Sequence, residues 1–273
     1  MRLSLGPLGK LLLLGLLLVG VRACHVAATD RSAGIDLDQL ALASPGPGFP
    51  EPPDQRRVIV DGHTRIDELE IAQQLRRSGG ADLPQSFGWE IEDRLVTLVA
   101  PGTDGRHHFA NAYLVNYVPY EGVETWVPLY ALARRKAYEY DHLQYGGAPE
   151  IWQTSREAFY YPRGDCEDHA LALADWLIGL GHDARVVLGK HGSEGHAWVV
   201  LIDGDNSYLL ESTAKGSAAR RALPLAEQLP EYHPELMFNR DSFWTNAGDP
   251  MTTMSYTLPQ WRMRSRFERG PQH

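Results

Sequence analysis

The stretch Arg163-Gly164-Asp165-Cys166-Glu167-Asp168-His169-Ala170 sets a thiol between a glycine turn and a run that reads as a helix. At the first turn of a helix, unpaired N–H groups and the positive end of the helix dipole favour a thiolate and help to hold an oxyanion. Further on, Gly195-His196-Ala197-Trp198-Val199-Val200 puts a histidine at the head of an apolar strand. The next strand ends in a carboxylate, at Leu209-Leu210-Glu211-Ser212-Thr213. In adjacent antiparallel strands those two side chains can lie side by side. A cysteine nucleophile needs a base within hydrogen-bond reach and a group that orients the base, and Cys166, His196 and Glu211 fill these three roles. Asp203 and Asp205 are poorer orienters because they fall in the turn between the strands. The chemistry this predicts is thiolate attack on an amide carbonyl, a thioester intermediate, and release of the acyl group to water or to an amine.

Plainer readings compete. Free cysteine is among the most buried residue types, so Cys166 taken alone reads as a structural thiol. It is the order helix-start Cys, strand-start His, strand-end Glu that argues for catalysis. His182, His191, Glu194 and His196 cluster in sequence and could supply zinc ligands together with Cys166, but their spacing fits no regular zinc pattern. Trp176 and Trp198 read as core packing.

The elements that must position these groups are visible in the periodicity. Over 126–140, Leu129, Leu132, Ala133, Ala137 and Tyr140 recur at helical spacing, with Arg134, Arg135 and Lys136 on the other side, which predicts an amphipathic helix. A second helix starts near Cys166, carries Ala170, Leu171, Ala174, Leu177 and Ile178 on one face, and stops at Gly179 and Gly181. Strands are expected at 184–188, 197–202 and 208–210, with Gly204-Asp205-Asn206 supplying the last turn. An antiparallel sheet packed on the Cys166 helix is the economical arrangement. Upstream, strands over 58–60 and 95–100 flank an expected helix over 66–77, a region in which no chemistry is apparent. Beyond Ala218, Phe243-Trp244 and the stretch 256–261 are expected to wrap the core, and the basic residues after Arg264 to fray.

The chain has 273 residues, 43% hydrophobic and 22% charged, an ordinary composition for one or two globular domains. With 26 basic against 35 acidic residues and a formal charge of −9, it lacks the basic face that nucleic-acid binding requires. Arg2 and Lys10 precede an apolar run of about 11 residues, followed by Ala23, Ala27 and Ala28, which is the layout of a secretory signal and too short to span a membrane. Val21-Arg22-Ala23-Cys24 resembles a lipobox, in which Cys24 would carry a lipid anchor; ordinary cleavage after Ala23 or Ala28 is the alternative. The Pro/Gly-rich stretch to Arg57 reads as a flexible linker. The expected organisation is thus a signal peptide over 1–28, a linker over 29–57, an accessory region over 58–125 and a catalytic domain over 126–263. Cys24 and Cys166 are the two cysteines, so no disulfide framework is expected.

The order GDCEDHA, GHAW and LLEST over 126–213 resembles the transglutaminase-like superfamily of papain-related folds, and in particular its bacterial cysteine peptidases. Trp152 and Glu157 match a Trp-x-x-x-x-Glu segment that precedes the cysteine motif in those peptidases. The resemblance implies an α+β fold with a papain/transglutaminase-like core, the nucleophile helix packed on an antiparallel sheet. It implies Cys166 as nucleophile, His196 as general base and acid, and Glu211 where the family usually has an aspartate. By the same analogy Trp152 or Gln153 donates to the oxyanion. No cofactor is required for this chemistry, but some of these relatives bind calcium through the carboxylates flanking the cysteine, and Asp165, Glu167 and Asp168 match that motif. The alternative is that Asp165 and Glu167 only cap the helix and complement its dipole. Hydrolysis of a protein or peptide of the cell envelope by an exported, periplasmic enzyme is the expected function. Transamidation, or a catalytically silent binding module, are the alternatives. Contact with a membrane is expected only through an anchor at Cys24.

Overall fold

The computed structural model describes residues 99–214, 223–248 and 255–270 without a break and, ahead of them, 58–59, 64–69, 73, 87–91 and 94–96. The expected signal segment with Cys24, and the linker, lie outside the described residues.

Within the described part, helices α1 (Trp126–Arg135), α2 (Ser155–Tyr160) and α3 (Cys166–Gly179) precede or pack on a seven-stranded sheet. Its strands are β1 (Thr64–Asp67), β2 (Asp183–His191), β3 (Glu194–Asp203), β4 (Asn206–Leu210), β5 (Tyr232–Phe238), β6 (Ser242–Asn246) and β7 (Trp261–Glu268). In space they run β4-β3-β2-β5-β6-β7-β1, antiparallel throughout except for the parallel pair β7–β1. The chain is therefore a mixed α/β structure with a mostly antiparallel sheet.

Helix α3 is apolar nearly all round: Ala170, Leu171, Ala172, Leu173, Ala174, Trp176 and Leu177 are all buried. A helix of that kind must lie inside a core and not on its surface. One side of α3 lies on β2 and β3 and another meets α1 and α2. Its end is set by Gly181, whose φ of 91° suits glycine, with the N–H groups of Gly181 and His182 returning to Ile178 and Leu177. The period-2 pattern of β3 then sorts its side chains. Ala197, Val199 and Leu201 join the α3 core, while Trp198 and Val200 join a second cluster with Val187, Leu209, Met237, Tyr256 and Trp261. Both faces of this sheet are thus covered.

The expected α3 and the strands around it are present where the periodicity placed them. Four expectations are corrected. Helix α1 stops at Arg135 instead of reaching Tyr140: Lys136 is extended and buried, its ammonium donating to Gln153 Oε1 and the Arg163 carbonyl. A buried charge requires such partners, and meeting them takes the backbone out of the helix into a short strand, Ala137–Tyr138, parallel to Arg163–Gly164. Ile66 and Asp67 end a strand, not open a helix, because β1 completes the edge of the sheet against β7; most of the rest of 66–77 lies outside the described residues. The expected strand over 95–100 is divided between two short strands, Arg94–Val96 and Val99–Pro101. The tail does more than wrap: it supplies β5, β6 and β7, and the basic end is held by Arg269, which donates to the carbonyls of Asn111, Ala112 and Leu114. Residues 58–125 contribute β1 to the main sheet and Phe109, Tyr113 and Leu114 to the α3 core. Among the described residues, no helix is long and apolar enough to cross a membrane.

Candidate active site

Cys166 is the first residue of α3 and is only 2% exposed. Its thiol lies 3.5 Å from Glu167 Oε2, and the backbone N–H of Ala197 on β3 also bears on the sulfur. That places the thiol beside the strand position that follows His196. Burial pushes the Cys166 thiol well up, and Asp165 adds to the effect, against a smaller opposing contribution from the Ala197 N–H. The helix start alone therefore does not make this sulfur a thiolate. The charges of Asp165 and Glu150 work against ionisation, and the hydrogen bond with Glu167 opposes them only weakly.

His196 sits near the start of β3, opposite Gly189 of β2. Glu211 follows β4, whose register with β3 brings it to the same side as His196. The pair forms: His196 Nε2 is 2.8 Å from Glu211 Oε2. With a carboxylate accepting at Nε2, Nε2 carries the proton and Nδ1 is the nitrogen left to act as a base in the neutral ring. Burial would raise the Glu211 carboxyl, but the hydrogen bond and charge of His196 and two donors from Thr213 outweigh it and hold the carboxyl at about 2. Glu211 is thus ionised at any ordinary pH.

The remaining expected residues fall into two groups. Trp152 is fully buried against Tyr113 and Phe238, and its Nε1 donates to Glu150 Oε1 at 2.6 Å. The amide of Gln153 donates to the Tyr145 hydroxyl and the Arg163 carbonyl, and accepts from Lys136. The side-chain donors of both are thus engaged away from the thiol, which leaves the backbone N–H groups around Cys166 as the nearer candidates for an oxyanion. Gln153 serves another centre: its backbone N–H holds Asp168 Oδ1 at 2.8 Å.

That centre is a group of four buried carboxylates. One oxygen each from Asp141, Asp165, Glu167 and Asp168 lies within 4.8 Å of the others. Asp141 Oδ1, Asp165 Oδ1, Glu167 Oε1 and Asp168 Oδ2 are buried without a hydrogen-bond partner. Burial pushes all four carboxyls up, Asp141 to about 8; the Asp165 charge adds to the rise at Asp141, Glu167 and Asp168, and the Lys136 ammonium opposes it at Asp141, Asp165 and Asp168. Orphaned carboxylate oxygens facing one another in a dry site fit a hard, oxygen-seeking cation such as calcium. Asp165 is at the N-cap position of α3 but makes no side-chain capping bond, so capping does not account for it. The zinc set does not assemble: His182 pairs with Thr125 Oγ1 at the far end of α3, whereas His191 lies near His196.

Three participants were not expected. Asp141 opens a one-turn helix, Asp141–Gln144, just past the expected end of the first helix, where no local pattern marks it. His169 Nδ1 is 3.1 Å from the Ser212 carbonyl and links α3 to the segment bearing Glu211; it sits within the cysteine motif and was open to recognition there. Tyr232, at the start of β5, donates its hydroxyl to Glu211 Oε2 at 2.9 Å.

Comparison with known proteins places this site in a recognisable stretch. A family model described as the CEP76 peptidase-like domain matches residues 150–262, which include Cys166, His196 and Glu211. The Mus musculus protein named Centrosomal protein of 76 kDa is 32% identical over 126 residues, 41% of this chain and 19% of that one. The Homo sapiens Protein CC2D2B is 28% identical over 106 residues, 39% of this chain and 7% of that one. The chain therefore spans less than a fifth of the length of these relatives. Among solved structures, calcium-bound Legionella pneumophila LapG aligns with a TM-score of 0.38 at 17% identity, covering 72% of this chain and 96% of that chain.

Proposed function

We propose that this chain is a cysteine-dependent hydrolase of protein or peptide amide bonds, of the transglutaminase-like peptidase type. The observation that carries the reading is the His196–Glu211 pair, held by β3 and the end of its neighbour β4, with the thiol of Cys166 at the adjacent Ala197 N–H. Catalytic hydrogen bonds are often long in a free enzyme and tighten once substrate is bound, so the thiol need not bond His196 beforehand.

In the reaction, His196 Nδ1 takes the Sγ proton as Sγ attacks the carbonyl carbon. The oxyanion is met by backbone N–H groups at the start of α3. The tetrahedral adduct collapses to a thioester as the imidazolium gives its proton to the leaving amine nitrogen. A water then attacks the thioester, losing one proton to His196; the adduct collapses with that proton returned to sulfur, and the carboxylic acid product leaves and gives its own proton to solvent. Glu211 stays ionised and stabilises the imidazolium at both stages. An amine in place of that water would give transamidation by the same steps.

Asp141, Asp165, Glu167 and Asp168 would hold a calcium ion, which would supply positive charge beside the nucleophile's helix start. Export, read from the apolar run after Lys10, belongs to the same proposal and is checked by fractionation of the expressing cell. A second reading, a binding module of this fold that does not cleave, is favoured by the matched relatives, six of which, each from a different species, bear the name of a centrosomal protein.

The test is acylation by p-nitrophenyl acetate in calcium-containing buffer. The proposal requires a burst of one p-nitrophenolate per Cys166 that is lost in Cys166→Ala and strongly slowed in His196→Ala. Absence of a burst in the wild type, with the protein folded, leaves the binding module. Accelerated turnover with an added amine acceptor, with no release to water, would make the chain a transamidase.

A further inference from the structure

In relatives that this chain resembles, the residue behind the histidine is an aspartate; here it is Glu211, with one more methylene and one more rotatable bond to be fixed. The structure fixes both of its oxygens. Oε1 accepts from the Thr213 backbone N–H at 2.9 Å and from Thr213 Oγ1 at 2.6 Å. Oε2 accepts from His196 Nε2 at 2.8 Å and from the Tyr232 hydroxyl at 2.9 Å. Thr213 belongs to the same turn as Glu211, but Tyr232 comes from β5, on the other side of β2, and reaches the oxygen that the imidazole uses.

Tyr232 is itself held. It pairs with His191 in the β2–β5 ladder, its ring stacks on the His191 ring at 4.4 Å, and it meets Trp198 edge-on at 5.2 Å. Trp198 is locked in turn by its Nε1 bond to the Tyr256 hydroxyl at 3.0 Å. A ring packed in this way delivers its O–H to one point, and that point is the Glu211 oxygen shared with His196.

We infer that Tyr232 is a positioning residue for His196, acting through Glu211 by pinning the Oε2 that orients the imidazole. This inference rests on the proposed acyl-transfer function and deepens it: the longer carboxylate does the work of the usual aspartate because a tyrosine from a distant strand removes its extra freedom. Misplacing a catalytic group by a fraction of an ångström is enough to slow a reaction that depends on its orientation.

The experiment is a double-mutant cycle on the rate of Cys166 alkylation by iodoacetamide at neutral pH, using wild type, Tyr232→Phe, Glu211→Ala and the double variant, with His196→Ala as control. Tyr232→Phe keeps the ring and its packing and removes only the hydroxyl. Loss of a hydrogen bond to a charged group corresponds to roughly a tenfold slowing in the wild-type background. In the Glu211→Ala background the same change is expected to cost under about twofold, because the group through which it acts is gone. Equal slowing in both backgrounds would make Tyr232 a packing residue and overturn the inference, as would no slowing in the wild type. Either result can stand alongside a strong effect of His196→Ala, which keeps the catalytic reading intact. If His196→Ala does not slow alkylation, the reading and the inference fall together.

Discussion

The imidazole of His169, one turn beyond Cys166, meets the carbonyl of Ser212 at 3.1 Å, so the helix that begins at Cys166 is tied to the residue that follows Glu211. Both residues are fully buried. Cys166 and Glu211 come from different layers of the fold, and this bond spans the seam between them.

His169→Phe keeps an aromatic ring against Tyr138 but leaves the Ser212 carbonyl without that partner. A buried carbonyl so orphaned costs about 1–3 kcal/mol. The expected outcome is a fall of that size in unfolding free energy by urea titration, together with slower acylation of Cys166. Unchanged stability would mean that the seam is held by packing alone.

The pH dependence of stability follows from Glu211. Its carboxyl is held at about 2 in the folded chain against an ordinary value of 4.5. A depressed acid contributes stability that is fully present above the ordinary value and is lost as pH falls through the folded value. The difference corresponds to about 3 kcal/mol. Urea unfolding of wild type and Glu211→Gln across that acidic range should therefore converge: the wild type loses its advantage as pH falls, while the variant's curve lacks this component. Parallel curves would show that the Glu211 carboxyl is not held below its ordinary value in the folded chain.

How much of this was legible in the sequence depended on where the information was stored. The region from Cys166 to Leu210 could be read because α3, β2, β3 and β4 each carry a complete apolar pattern over consecutive residues, and the order Cys166, His196, Glu211 follows those elements. The end of α1 could not, because Lys136 leaves the helix to satisfy an ammonium whose partners, Gln153 and Arg163, lie elsewhere in the chain. Strand β5 was missed for a related reason: Pro234 and the shift in register after it interrupt the alternation that marks a strand. Tyr232 and Asp141 were invisible individually. A tyrosine before a proline-broken strand and an aspartate in a single turn of helix have no local signature, and each acquires a role only when the sheet or the carboxylate group closes around it.

The carboxylate group makes a prediction of two opposite signs. Calcium should raise the melting temperature of the wild type, by an amount equivalent to about 2.7 kcal/mol when present at a hundredfold excess over its Kd. Asp168→Asn should stabilise the calcium-free chain, because it removes one of four buried carboxyls whose ionisation the site resists, and should blunt the response to calcium. Differential scanning fluorimetry with calcium, magnesium and chelator reads both effects. A variant destabilised without calcium and still responsive to it would exclude Asp168 as a ligand.

Gly189 lies opposite His196 on β2 and faces β5 on its other side. A methyl group there would meet the His233 carbonyl oxygen, Pro234 Cα at 2.8 Å and the Trp198 ring at 2.8 Å. Two of these neighbours are backbone and the third is a fully buried indole, so none can step aside cheaply. Gly189→Ala must therefore push β5 away from β2, and Tyr232 travels with β5. The expected result is a loss of about 1–3 kcal/mol in stability and a slowing of Cys166 acylation that exceeds that of Tyr232→Phe, since the hydroxyl and the strand beneath His196 shift together. Reduced stability with acylation unchanged would show that the histidine is positioned independently of β5, and would place the whole burden of orientation on Glu211 and Thr213.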